Sequence, residues 1–349
     1  MSFPRHPLFV LSVLLMIPLA TSCHKGDDAE TPPYEFNTEV FPSRYLSIPP
    51  GQTEGASRDA FPVEVVATGE WDVATLERLP APIASAGIED APFITADGNT
   101  LYFTFIGDIA VLADPFVMLA DPAAGIYRTD FINGSWSEPS KIGLARNGTQ
   151  ALAGGGSIKR DGTFWFNYAS ADTGWKVHSY VAYLWRGRLS IGYDPGPPIN
   201  QPGISAGEPD ISSDGTRLYI NSADYGGYGA NDLFVFEKIN GQWQGPMNLG
   251  PVLNSAADPA RPLDQNRPFI TADGQHLYFD AFQGATGTGI SIFRSDWTGS
   301  EWGPPVEILR NNLGEPSLSE DGQWLYFVHY YVDAGLNILE ADIFRIRRR

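Results

Sequence analysis

Cysteine occurs once in this chain of 349 residues, at Cys23. A single thiol excludes a disulfide within the chain and any zinc cage built on cysteines. Histidine is nearly as scarce, with five residues and no two at metal-ligand spacing, so neither a metal site nor a cofactor is assigned. Basic side chains are also few: 23 Lys and Arg stand against 41 Asp and Glu, a formal net charge of −18. A phosphate backbone would be repelled by that field, which excludes nucleic acid as a partner. The N-terminal apolar run, Pro7 to Leu19, is too short for an ordinary membrane span. What is present points to a folded, β-rich chain. Apolar residues make up 43%, enough for a sizeable core, and aromatic residues reach 13%, as strands favour.

The lone cysteine closes an export segment. Arg5 and His6 precede the apolar run, and Ala20-Thr21-Ser22-Cys23 follows it. A short basic region, an apolar stretch and small residues before a cleavage point form a secretory signal. The ending resembles a bacterial lipobox, in which the cysteine is lipidated and becomes the new N-terminus. This implies a signal peptide over 1–22, lipidation at Cys23, and attachment to a membrane of the bacterial cell envelope, periplasmic or surface-exposed. Residues 23–60 read as a polar tether, because Lys25 to Glu30 is charged and Pro32, Pro33, Pro42, Pro49 and Pro50 break regular structure.

From residue 61 onward the chain repeats. Asp-Gly recurs at Asp97-Gly98, Asp161-Gly162, Asp214-Gly215, Asp273-Gly274 and Asp321-Gly322. Each is followed by an aromatic-rich run such as Leu101-Tyr102-Phe103 or Leu277-Tyr278-Phe279. Asp-Gly between two strand-like runs marks a hairpin. A second hairpin joins Ile126-Tyr127 to Trp136, Leu233-Phe234 to Trp243, and Ile292-Phe293 to Trp302, and each Trp has a Pro three residues on. Proline suits an outer edge strand. Four strands per repeat at this period indicate a propeller. The fifth repeat ends at Arg349 without a Trp strand, and Trp71 with its neighbours can supply it. The expectation is an all-β, five-bladed β-propeller of four-stranded antiparallel blades over residues 61–349, closed by an N-terminal strand.

The segment Glu208 to Tyr219, followed by Gly226-Gly227-Tyr228-Gly229-Ala230-Asn231-Asp232-Leu233-Phe234, resembles the WD40-like propeller repeats of TolB-type envelope proteins. That family spans binding scaffolds, peptidase accessory domains and lyases, so fold leaves function open.

The residues six before each turn Asp are Ala91, Gly155, Glu208, Arg267 and Glu315, at the start of the strands expected to line the central channel. With Asp90 one residue earlier, and Asp210 two after Glu208 on the same face if side chains alternate, one mouth should collect Asp90, Glu208, Asp210, Arg267 and Glu315. Such a pocket suits a hydroxylated ligand, with Arg267 as the one cation of the set, facing a carboxylate or hydroxyl. Alternatively the carboxylates satisfy backbone donors of neighbouring blades. The first reading gives an envelope protein that binds a protein or glycan partner without catalysis. The second class is a carbohydrate-active enzyme with Asp90 as base and Glu208 as acid, since similar positions carry these roles in five-bladed glycoside hydrolases. Glycine in the second repeat departs from that pattern. The loop Asp224 to Asp232 reads as a hairpin connection rather than a calcium loop. Gly203-Ile-Ser-Ala-Gly207 precedes an inner strand and lacks the strand-to-helix setting of a nucleophile elbow. His178, His276 and His329 read as ordinary strand residues.

Overall fold

The computed structural model describes residues 32–48, 55–159, 161–254, 264–282, 289–335 and 337–349. The expected export segment, Cys23 and the start of the expected tether lie outside these residues. Among the described residues no helix is long and apolar enough to cross a membrane.

The structure is nearly all-β and each Asp-Gly opens a hairpin between the first two strands of a repeat. These strands are Ile88–Ile94 with Thr100–Ile106, Ala151–Ile158 with Thr163–Ser170, Gly207–Ile211 with Arg217–Ser222, Asp264–Ile270 with His276–Phe282, and Leu313–Leu318 with Trp324–Val332. In these turns only the glycine takes positive φ, from 67° to 81°. The aspartate instead accepts a backbone N–H two residues on, as from Asn99 at 3.0 Å and Gln275 at 2.9 Å, so Asp and Gly have separate duties. Third strands follow at Gly125–Ile132, His178–Trp185, Asp232–Ile239, Ile290–Asp296 and Ile338–Arg348. Asn133-Gly134 and Asn240-Gly241 both have positive φ at each residue, the twist that suits a two-residue hairpin, and they lead to the short strand at Trp136 and the strand Gln242–Asn248.

Second strands are buried almost throughout, as in Leu101 to Ile106 and Leu325 to Val332, because other sheets cover both of their faces. The residues before the first repeat complete later sheets. Trp71–Arg78 pairs antiparallel with the last strand, and the fully buried Trp71 joins the main apolar cluster with Phe327 and Ile346. Glu64–Val65 pairs with Arg310 and Leu309 on the outer edge of the fourth repeat.

Residues 34–48, which composition assigns to the tether, lie against the strands. Tyr34 stacks on Tyr183 at 4.8 Å, Glu35 forms a bidentate pair with Arg146, and Arg44, 2% exposed, reaches the buried Glu89 at 3.2 Å. These partners lie 45 or more residues away, so local composition carries no sign of them.

One irregularity repeats in all five first strands. Ala91, Gly155, Glu208, Arg267 and Glu315 have φ of 49°, 57°, 53°, 51° and 60°. Pairing with the second strand slips at each of these places. A β-bulge with a left-handed residue costs energy for any residue but glycine, and its effect is to re-aim a side chain.

Candidate functional site

The five bulges surround one end of a central cavity of ≈ 330 Å³. Asp90, Glu208, Asp210, Arg267 and Glu315 all line it, so the structure brings together every residue the repeat arithmetic selects. Their engagements differ from expectation in three ways.

First, Arg267 is already engaged by acids. Its guanidinium is held by Glu208 at 3.2 Å, by Asp280 at 3.6 Å and by Glu315 in a close ion pair. Second, a cation from outside the aligned set takes part: Lys159 meets Asp210 at 3.0 Å. Lys159 follows the strand that holds Gly155 and so falls outside the aligned positions. Third, Asp210 does not share a face with Glu208 by alternation, because the bulge breaks the period of two between Gly207 and Asp210. Asp210 instead accepts the backbone N–H of Ile270 at 2.8 Å and turns toward Lys159.

In four of the five bulges the N–H of the left-handed residue is satisfied from the repeat before it. The Gly155 N–H donates to Thr104 at 2.9 Å, the Glu208 N–H to Asn167, the Arg267 N–H to Glu208 at 3.0 Å, and the Glu315 N–H to Asp280 at 2.9 Å. Asp90 accepts from the Tyr330 hydroxyl at 2.8 Å. Buried amides need such partners, and here the polar side chains that meet them also link neighbouring sheets. Asp280 and Tyr330 lie on second strands, outside the repeated Glu-Pro signal, and were not foreseen.

The electrostatics follow from burial. Removal from water pushes the Glu208 carboxyl up, against the pull of Arg267. Burial also raises Asp280 to about 6, with Arg267 opposing the rise and Asp90 adding to it. Burial raises Asp210 in the same way, with Lys159 opposing. For Arg267 burial acts downward, and Glu208 with the other acids outweighs it, so the guanidinium holds its proton more firmly.

The opposite wall is bare. Ala91 and Gly155 stand where the other repeats carry Glu, Arg and Glu, and Gly154 and Gly156 flank them. A Cβ at Gly155 would meet its nearest neighbours at 3.5 Å and 3.9 Å, ordinary contact distances, so the glycine leaves free volume there. Thr104, Asn167 and Tyr168 line this side.

A second cavity of ≈ 580 Å³ opens at the Asp-Gly end. Both cavities share Phe93 and Phe269, whose ring centroids are 6.4 Å apart, and the Lys159 ammonium sits 5.4 Å and 5.3 Å from those centroids. Arg128, Lys159, His276 and Arg348 line the larger cavity together with the turn aspartates. Asp97 and Asp321 on its rim accept the hydroxyls of Thr95 and Ser319, and then backbone N–H groups of their own turns, which lowers their proton affinity; at Asp273 burial acts upward, and the Thr271 hydroxyl with the Gln275 N–H outweighs it.

The remaining candidates have local duties. Asp232 accepts from the N–H groups of Tyr228 at 2.7 Å and Gly229 at 2.9 Å, closing the glycine-rich loop on itself, while Asp224 pairs with Lys176. His276 and His329 do have carboxylate neighbours, Asp296 at 2.7 Å and Asp59 at 2.9 Å, which sequence spacing could not reveal.

No family model matches the chain, and no curated protein matches it in sequence. Its three-dimensional structure is similar to that of a thermostable family-43 glycoside hydrolase, with a TM-score of 0.51 and 14% identity over 77% of this chain and 91% of that one. It is also similar to the endo-arabinase of Bacteroides thetaiotaomicron, with a TM-score of 0.50 and 13% identity over 78% and 98% of the two chains. TolB of Acinetobacter baumannii gives a TM-score of 0.43 and 15% identity over 76% of this chain and 55% of that one. At these identities the first two likenesses show a propeller-type fold and nothing of the chemistry.

Proposed function

We propose that this chain is a five-bladed propeller, lipid-anchored through Cys23 in a bacterial envelope, whose bulge-lined mouth binds a neutral glycan without cleaving it. The five repeats support the blade count. Pairing of Trp71–Arg78 with the last strand, and the single parallel contact of Ala341 with Ile88 between the fifth and first repeats, support closure by the N-terminal strand.

The observation that carries the binding reading is the engagement of Arg267 by three carboxylates. Glycoside cleavage requires one carboxyl group free to give a proton to the leaving oxygen and another free to activate water. Both oxygens of Glu208 face Arg267, one at its N–H and one at its guanidinium. Four carboxylates, Asp90, Glu208, Asp210 and Glu315, line the mouth against Arg267. That excess repels an acidic sugar and leaves acceptors for the hydroxyls of a neutral one.

Cleavage stands as the second reading, because Asp90 and Glu208 line one cavity and the two neighbours of like fold are named as a glycoside hydrolase and an endo-arabinase. Calorimetric titration of neutral and acidic oligosaccharides tests the choice. Saturable binding of a neutral series, weakened in Asp90→Asn and absent for uronic acids, is the expected result. Preference for acidic sugars, or no saccharide binding at all, overturns it. For the anchor, Cys23→Ala should release the protein from the membrane fraction of a Gram-negative host, and unchanged association would remove the lipid from the account.

A further inference from the structure

Two aromatic side chains from neighbouring repeats meet at the lip of the mouth, and neither is needed to close the core. Phe116 belongs to the short 3-10 helix Pro115–Ala120, between the second and third strands of the first repeat. Trp175 lies in the matching connection of the second repeat. Their rings touch edge to face, with centroids 5.0 Å apart and planes at 77°. Phe116 is 45% exposed and Trp175 half-buried. Pro115 and Met118 on one side and Val177 on the other line the cavity, so the pair borders its bare wall.

Trp175 is held there against its backbone preference. Its φ is 61°, the left-handed region that a bulky side chain rarely adopts. The surrounding turn fixes it: Ser170 and Thr173 cap one another, the Trp175 N–H donates to the Ser170 carbonyl at 2.9 Å, and the Thr173 hydroxyl donates to the Lys176 carbonyl at 2.8 Å. Glycine would fill this position with less strain. A tryptophan kept in a glycine conformation, two residues from the cavity wall at Val177 and half in solvent, calls for a reason beyond the backbone.

We infer that Phe116 and Trp175 form a stacking subsite for a further sugar ring, so that the ligand is an oligosaccharide running from the carboxylate floor across Ala91 and Gly155 onto this lip. The inference rests on the glycan reading above. A cavity of ≈ 330 Å³ is at the small end of ligand sites, so a chain of several rings must leave it across a rim. One face of a pyranose carries only C–H bonds, whose partial positive charge suits the negative face of an indole or phenyl ring, while its hydroxyls stay in water.

Affinity for mono- to hexasaccharides of the neutral gluco, xylo and arabino series, followed by calorimetry and tryptophan fluorescence, tests this. In the wild type, affinity should rise by about tenfold once the ligand is long enough to reach the lip. Phe116→Ala and Trp175→Gly should abolish that rise and leave the shortest bound sugar unaffected. Trp175→Gly also separates binding from folding, since it relieves the left-handed strain: its melting temperature should be unchanged or higher. Binding that does not depend on length, or variants that keep the rise, overturns the subsite while the glycan reading stands. A marked fall in melting temperature for Trp175→Gly with loss of short-sugar binding makes the pair structural and also overturns it. If no series binds, both readings fall together.

Discussion

Replacing Arg267 by methionine probes the network at its centre. The side chain keeps similar length and loses the charge that Glu208, Asp280 and Glu315 share. Removing one partner of a buried ion pair costs about 3–5 kcal/mol, because the other charge is left uncompensated. Here three carboxylates lose their cation, but Arg267 and Glu208 retain 25% and 21% side-chain exposure, and water offsets part of the loss. A net cost of roughly 2–4 kcal/mol is expected, which for a domain of this size lowers the melting temperature by about 3–7 °C. The deficit should depend on pH. Without the guanidinium, burial and mutual repulsion push Glu208 and Asp280 up further, so protonation in mild acid relieves the strain. The variant should therefore approach the wild type in stability near pH 5 and fall well below it near pH 8. Differential scanning calorimetry across that range reads both effects. A variant that melts with the wild type at pH 8 would refute the reasoning, because the carboxylates would then have no need of Arg267.

Three further outcomes follow from the same structure. In the wild type, stability should decline from pH 5 to pH 8: Asp280 and Glu340 are raised by burial to about 6 and about 7, so the stability they supply is present below their unfolded values and lost as pH rises through the raised ones; thermal melts that rise over this range would contradict it. Trp71→Ala should cost about 3–5 kcal/mol in denaturant unfolding, since the side chain is fully buried against the last sheet, and a loss under about 1 kcal/mol would remove Trp71 from the core. Lys159→Met should destabilise by about 2–4 kcal/mol and Asp210→Asn in the same chain should recover most of it; additive losses would mean that the two are not coupled.

The sequence made the repeats legible because turn chemistry is local. Asp-Gly and Asn-Gly demand particular backbone angles, and the strands between them needed only burial to be recognised. The mouth was legible for a related reason: Ala91, Gly155, Glu208, Arg267 and Glu315 hold one position in one motif, and the structure gives all five the same left-handed conformation. Long-range and broken-period features escaped. Asp280 and Tyr330 meet Arg267 and Asp90 from second strands, and nothing in their own segments marks them. Lys159 lies beyond the bulge, outside the aligned position, and Asp210 was placed by an alternation that the bulge removes. The segment Tyr34 to Ile48 reads as linker from its prolines and polar residues, yet Tyr34 and Arg44 each find partners distant in sequence. Phe116 and Trp175 sit in connections of unequal length, where no repeat arithmetic applies.

The central claim is that the mouth binds a neutral glycan and leaves it whole. Incubating the tightest-binding oligosaccharide with a stoichiometric amount of protein from pH 5 to pH 8, and counting reducing ends against a protein-free blank, tests it most directly. The account expects the ligand to be recovered intact at every pH. New reducing ends that disappear in both Asp90→Asn and Glu208→Gln would contradict it and assign those carboxylates to catalysis.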